Sequence, residues 1–568
     1  MSSGFSQTDS SAVFRDNGIY LQGKKIIHDT ASLYFQVVSD SNLYSNLGNP
    51  GSPSVNFIAQ VPEFRINSSS FFLPTTQNTF VLSDIPQTVA HFNIGTNKSQ
   101  TFYIRHSQRI GNNLRGFIEF NRNRFEGYYN HQLSENSNLI SGLRYGGGQQ
   151  TLKSEVILSY KNAYRQENGG VDDTLFMDNV YRNDKLYLTG LNSAISKQYN
   201  WNIDFNNSIR LNKGKNIFSL VIFGNYQFMK HQFSDEKVES YFSDIFIDSL
   251  RTDDASSTEG INSGLGFTIK NKKWSSGILG KNYQSNYHNL TFYSKSVNQA
   301  LFSYVQYSDS IQQLHLSAEV FLYGEYSDDF NLKGNYSRKI LAKENIIDFS
   351  LAIVKNHPSI NTLFYSSNHY QWANVFTPVT TFRSEIVFRK GNALAISVFG
   401  QAVQNGVYLD SASVFNQSTD LNFNAGLRIK NCLAIGKHWE FCNQVLVQKT
   451  DNSPLFRVPG FAAKSQFMFK GKAWSMSYKT GLDFNYFSKY YANAYNPALS
   501  SFYYQDKVSV GNYPLFGLFF EADIYKVTSY IAVQHVTEGL FGRNYFSIPA
   551  YPMLSRTLFF GIRWRFMN

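Results

Sequence analysis

Charge on one face of alternating runs is the first chemistry this chain offers. Arg383, Glu385 and Arg389 share a parity, opposed by Phe382, Ile386 and Phe388. Lys479 and Asp483 oppose Tyr478, Leu482 and Phe484, while Glu521 and Asp523 oppose Leu518, Phe520 and Ile524. Arg563 and Arg565 oppose Ile562, Trp564 and Phe566. Successive side chains of a β-strand point to opposite faces, so each run has a charged side and an apolar side. These cations and carboxylates are joined by no His-Ser, His-Glu or Asp-His constellation that would mark a catalytic site. They set the field of a water-filled passage, where rings of charge select ions. The plainer alternative is that they pair across adjacent strands and keep that wall hydrated.

Other reactive side chains add no catalytic constellation. The 11 histidines are scattered, and His91, His106, His131 and His535 read as polar residues of an interface or lumen. No HExxH, GxSxG or P-loop occurs, and the GGG at 146–148 falls at an expected hairpin turn. The chain is therefore read as non-enzymatic, with no catalytic residue, no metal site and no cofactor. Two cysteines exclude a disulfide framework and a cysteine-based metal site. Cys432 and Cys442 flank an expected turn at Ile435-Gly436-Lys437-His438. A disulfide across that hairpin and two unpaired thiols both remain open, with the thiols preferred.

The elements that must position the charged face follow from the same alternation. Aromatics make up 16% of the 568 residues and charged residues also 16%, well below the roughly 25% of ordinary globular proteins. Mean hydropathy is nevertheless negative, at −0.32. That mixture suits a barrel with lipid outside and water inside. No stretch approaches the roughly 18 apolar residues a membrane helix needs, so a helical membrane protein is excluded. Alternating segments of about ten residues recur, the length of a tilted membrane strand. Short turns at Lys213-Gly214-Lys215-Asn216, Lys390-Gly391-Asn392 and Lys470-Gly471-Lys472 contrast with long polar stretches at 234–259 and 404–420. The expectation is an all-β, transmembrane antiparallel barrel over 96–568, with about 16 strands (14 to 18) because bacterial single-chain barrels are even-stranded. Residues 1–95, irregular and proline-bearing, form a periplasmic or lumen-inserted segment. The ending RTLFFGIRWRFMN reads as the closing strand, with Leu558, Phe560, Ile562, Trp564 and Phe566 facing lipid. The charged residues named above then face the lumen.

A soluble β-sandwich would also alternate, but it would not place Tyr and Phe at segment margins, as at Phe125, Tyr128 and Tyr129 or Tyr486, Phe487, Tyr490 and Tyr491. Those margins match the aromatic girdles of two membrane interfaces. The net charge of +11 forms no basic cluster, which excludes a nucleic-acid partner and fits anionic headgroups or an anion-favouring lumen. The start MSSGFSQTDSS has no basic or apolar region of a signal peptide. Ser3-Gly4-Phe5-Ser6 before Gln7 is similar to the end of one, so an upstream signal trimmed from this sequence and an ordinary terminus are both open.

Several segments resemble one family, the putative porins of the Bacteroidota outer membrane. They are LYSNLGNPGSPSVNF (43–57), QTFYIRHSQRIGNNLRGFIEFNRNRFEGYYNHQ (100–132), AYRQENGGVDDTLF (163–176) and the closing TEGLFGRNYFSIPAYPMLSRTLFFGIRWRFMN (537–568). The ENGG-VDD loop is the most specific of these. The resemblance implies a barrel in the bacterial outer membrane and carries over no catalytic residue. Its expected partners are outer-membrane lipid, small hydrophilic solutes, and other outer-membrane or periplasmic proteins. Two functions follow. One is passive or weakly selective passage of small hydrophilic solutes through a polar lumen. The other is a plugged structural or accessory barrel within a larger outer-membrane complex. A TonB-dependent transporter would need a plug larger than residues 1–95.

Overall fold

The computed structural model describes residues 20–21, 24–25, 44–48, 52–57, 85–146, 151–181, 183–237, 241–340, 345–391, 393–451 and 453–567. Among them, 22 antiparallel strands form one closed barrel, from Gln87–Gly95 to Thr557–Met567. The last strand pairs with the first, Phe559 opposite Gly95 and Met567 opposite Gln87, so no edge is left unpaired. Closure matters physically, because a membrane interior offers backbone groups no other partner.

Connections differ sharply between the two ends. At one end the turns are tight, such as Asn271–Lys273 between Lys270 and Trp274, or Tyr525–Lys526 between Ile524 and Val527. The other end carries long connections at 167–194, 236–251, 357–378, 405–421, 488–514 and 535–556. Both the first and last strands have their outer termini at the short-turn end.

Several expectations need correction. The barrel has 22 strands rather than about 16, and it starts at Gln87, inside the segment read as N-terminal. The stretch 234–259 is not one loop, since Ile217–Asp235 and Thr252–Lys270 are strands of 19 residues each. Their extra length explains the miss. On the outer face, Phe218, Leu220, Ile222, Tyr226 and Phe228 give way to Lys230, Gln232 and Ser234, while Ile261, Leu265 and Phe267 are preceded by Asp253, Ser257 and Glu259. Above the apolar band the outer face turns polar, and apolar residues such as Met229 and Phe233 lie on the inner face. The alternation expected of a lipid-facing strand therefore disappears. Lys470-Gly471-Lys472 is also strand, within Phe461–Ala473, and the turn falls at Trp474-Ser475. Trp474 takes φ 52° there, fully exposed instead of continuing a strand face. Finally, Cys432 and Cys442 are directly opposed in register and joined as a disulfide, which overturns the preference for two thiols.

Candidate functional site

The inner wall and the long-loop end together form the candidate site. In the closing strand, Leu558, Phe560, Ile562, Trp564 and Phe566 are exposed on the outer face, whereas Phe559 and Arg563 are buried on the inner one and Arg565 is half-buried. The charged positions divide into two patches rather than one ring. Lys479, Asp483, Glu521, Asp523, Arg563 and Arg565 lie on neighbouring strands that end the chain, and Arg383, Glu385 and Arg389 lie on Val379–Lys390, well round the wall.

Most of these charges have a nearby partner. Lys479 and Glu521 are register partners with Nζ 3.2 Å from Oε1. Glu385 pairs with Arg428 across an intervening strand at 2.8 Å, and Arg389 pairs with Asp348 at 2.6 Å. Asp523 accepts the Thr528 hydroxyl, and the Asp483 carboxylate lies over Gly517, its register partner. Lys281 and Glu319, absent from the expected set, form the same kind of pair at 3.0 Å, and Tyr283 also donates to Glu319. The more exposed pair, Arg389 with Asp348, stabilises by only about 0 to 1 kcal/mol. Glu319 and Glu521 are buried and need their lysines to offset the cost of burying a charge. The effect of the pairs is to hold the wall's side chains in place and to cancel much of its local field.

The long-loop end carries the structure that periodicity could not reveal. Its loops fold over one another into a cap with an aromatic core. Phe176, 0% exposed, is ringed edge-on by Tyr187, Tyr545 and Phe546, with Tyr129 beside it. The Arg543 guanidinium lies 4.4 Å over the Phe176 ring and donates to Asp184. A second core gathers Tyr365, Trp372, Leu409, Phe415, Phe456 and Leu499 from four separate loops.

The ENGG-VDD segment is the keystone of this cap. Glu167 is buried and accepts the Tyr495 hydroxyl at 3.2 Å, and its burial pushes the carboxyl above the usual range. Asn168 accepts the Gly170 amide and donates to the Asn130 carbonyl. Gly170, at φ 87°, sits so close to Ala550 that a Cβ would collide with it, and Val171 then donates to the Ala550 carbonyl. Asp172 caps the short helix Asp173–Met177 by accepting the Leu175 amide. Asp173 is raised to about 6 by burial, with Asp172 beside it adding to the rise.

One loop spans the mouth. Residues 488–514 leave the wall at Phe487 and return at Leu515, yet they bond to strands nearly half-way round the ring. There Ser196 donates to the Pro497 carbonyl at 3.4 Å and His231 lies 3.0 Å from the Ser500 hydroxyl. On the way, Asn496 donates to the Tyr370 hydroxyl and the Tyr504 amide to the Leu409 carbonyl. Asn368, on the loop 357–378, ties in 236–251 by accepting the Ile247 and Asp248 amides and donating to the Asp248 carbonyl.

The NLG-x-x-GSP stretch joins the same assembly. Its described parts form a hairpin, Tyr44–Asn46 paired with Ser54–Asn56. Leu47 is buried with Tyr495, Ile548 and Tyr551, and Phe57 packs on Phe487 at 5.0 Å. The inward-facing Gln448 amide donates to the Phe57 carbonyl at 2.7 Å, so this hairpin is held from the inner wall. Apart from the pair Tyr20–Leu21 and Lys24–Lys25, the rest of residues 1–84 lies outside the described residues.

A closed, even-stranded antiparallel barrel with an apolar outer face, tight turns at one end and long loops at the other defines an outer-membrane β-barrel. The chain belongs to the family described as "Putative porin", whose model matches residues 18–568. No curated protein sequence matches it. Solved structures share its fold at low identity. The ferric enterobactin receptor PfeA of Pseudomonas aeruginosa gives a TM-score of 0.60 at 9% identity, over 86% of this chain and 82% of that one. The siderophore receptor PirA of Acinetobacter baumannii gives 0.59 at 10%, over 86% and 81%. The FrpB iron transporter of Neisseria meningitidis gives 0.59 at 12%, over 85% and 83%.

Proposed function

We propose that this protein is an outer-membrane barrel closed at its outer mouth by its own loops, serving as a structural or accessory unit of a larger outer-membrane complex instead of as an open passive pore. The observation that carries the reading is the mouth-spanning loop 488–514, bonded to Ser196 and His231 on the far wall. Barrel size points the same way, because 22-stranded outer-membrane barrels have plugged lumens whereas porins of 16 to 18 strands leave aqueous channels. The paired charges of the inner wall then act as wall structure, and no constriction ring is assigned to them. Conductance in planar bilayers tests this. Insertion without stepwise current is expected, and steady open-channel steps from the unmodified chain would overturn it.

A second reading is favoured by the shared fold of the siderophore and iron receptors. Under it, the cap moves when a bulky solute binds from outside and the barrel then transports that solute. Binding of a ferric siderophore that protects the loops 167–194 and 488–514 from proteolysis would support this reading over the first.

A further inference from the structure

The short-turn end is almost wholly cationic, whereas the cap mixes acids with cations such as Lys185, Lys489, Lys507 and Arg543. Among its described turn residues are Lys213, Lys215, Lys272, Lys273, Lys437 and Lys526, all exposed. The acidic residue among them is Asp309, which accepts the Tyr307 hydroxyl at 2.7 Å and the Ile311 and Gln312 amides at 2.8 Å. That carboxylate is therefore engaged by its own turn. The loop end instead collects Asp172, Asp173, Asp178 and Asp184 in one loop, Asp244 and Asp248 in another, and Glu325, Asp328 and Asp329 in a third.

Tryptophan follows the lysines. Of the six in the chain, Trp274, Trp439, Trp474 and Trp564 stand at this end and are exposed. Each has a cation at its side in sequence: Lys273 before Trp274, Lys437 shortly before Trp439, Lys472 before Trp474, and Arg565 after Trp564. Three pack outward against a second aromatic, Trp274 tilted on Tyr307 at 4.7 Å, Trp439 stacked on Phe467 at 4.8 Å and Trp564 stacked on Phe566 at 4.3 Å. Amphipathic rings of this kind settle at headgroup level, and cations just beyond them meet phosphates.

We propose that the short-turn rim is a docking surface for anionic glycerophospholipid headgroups in the periplasmic leaflet. The arrangement favours a lipid surface over a protein partner, because the cations do not form a patch. They come from turns spread round the ring, between Arg210 and Ile217, Lys270 and Trp274, Ile435 and Trp439, and Ile524 and Val527. A planar layer of phosphates meets all of them at once, whereas a compact partner meets only one arc. The inference rests on the barrel's place in the outer membrane and is independent of whether the lumen conducts.

The test is lipid retention by the full chain. Purified protein is equilibrated in detergent micelles containing equal phosphatidylcholine and phosphatidylglycerol, washed, and its bound lipid measured by mass spectrometry. Phosphatidylglycerol should be enriched by about threefold or more at low salt, and the enrichment should fall towards the input ratio at 0.5 M NaCl. The variant K213Q/K215Q/K272Q/K273Q/K437Q/K526Q should retain the input ratio while keeping the gel shift of a folded barrel. The control K98Q/K489Q/K507Q, at the loop end, should enrich like the parent. Enrichment that survives the six substitutions, or none in the parent, would overturn the proposal. Should the six-fold variant not fold, the salt series decides: salt-insensitive retention sinks the idea and salt-sensitive retention supports it.

Discussion

At the long-loop end Phe176, Tyr545 and Phe546 are buried, and at the short-turn end Trp274, Trp439 and Trp474 stand exposed. The two regions use one residue class for opposite purposes. A connection of two or three residues cannot fold back on itself, so its aromatics meet whatever surrounds the barrel. A connection of twenty can cover its aromatics with those of its neighbours, and burying a side chain such as Phe stabilises by about 1.5–3 kcal/mol. Aromatic composition alone thus does not distinguish a lipid belt from a protein core; connection length does.

The sharpest way to break the comparison is to shorten the spanning loop. Replacing 491–511 with a short Gly-Ser linker should open the mouth and give stepwise conductance where the parent gives none. Unchanged silence in bilayers would mean that closure lies elsewhere. Next in size, Phe176→Ala should cost the cap about 3–5 kcal/mol of local stability, seen as faster hydrogen exchange in 167–194 and 535–556 while the barrel strands stay protected. Equal loosening of the strands would deny the cap its independence. Gln448→Ala removes the donor to the buried Phe57 and Pro459 carbonyls, at a cost of about 1–3 kcal/mol, and should speed proteolysis of the N-terminal hairpin first.

The smallest effect is a pH dependence. Asp173 is raised from 3.8 to about 6 in the folded cap. Its protonated form is the favoured one, so its contribution is fully present below pH 3.8 and is lost as pH rises through about 6. Asp173→Asn should therefore slow exchange of 167–194 at pH 7.5 and flatten its pH dependence between pH 4 and 7. Burial lowers the His369 and His535 imidazoles below their usual range, so they act in the opposite sense as pH falls, and that dependence should survive the substitution.

How much of this was legible in the sequence follows the same divide. Inside the membrane, period-two alternation is enforced by lipid on one side, and Phe516, Leu518, Phe520 and Ile524 announced their strand. Above the membrane that constraint ends, so Asp253 to Glu259 read as loop and the strand count fell short. The cap's residues gave no periodic signal, because Tyr495, Phe176 and Tyr551 meet through tertiary contacts between distant loops. The ENGG-VDD segment could have been suspected as structural from its chemistry. Adjacent glycines supply left-handed backbone, and Asn and Asp supply turn and cap acceptors.

The pairing of Gln87–Gly95 with Thr557–Met567 also sets a timetable. The wall cannot become a ring until its last strand has been made, and that strand must find a partner laid down more than four hundred positions earlier. Pairings so distant in sequence are slow to form. The cap comes later still, because Ser196 and Pro497 meet only once the ring has brought their strands to opposite sides. A protected cap is thus a record that assembly has finished, and its aromatic core would stay open in any chain stalled one strand short.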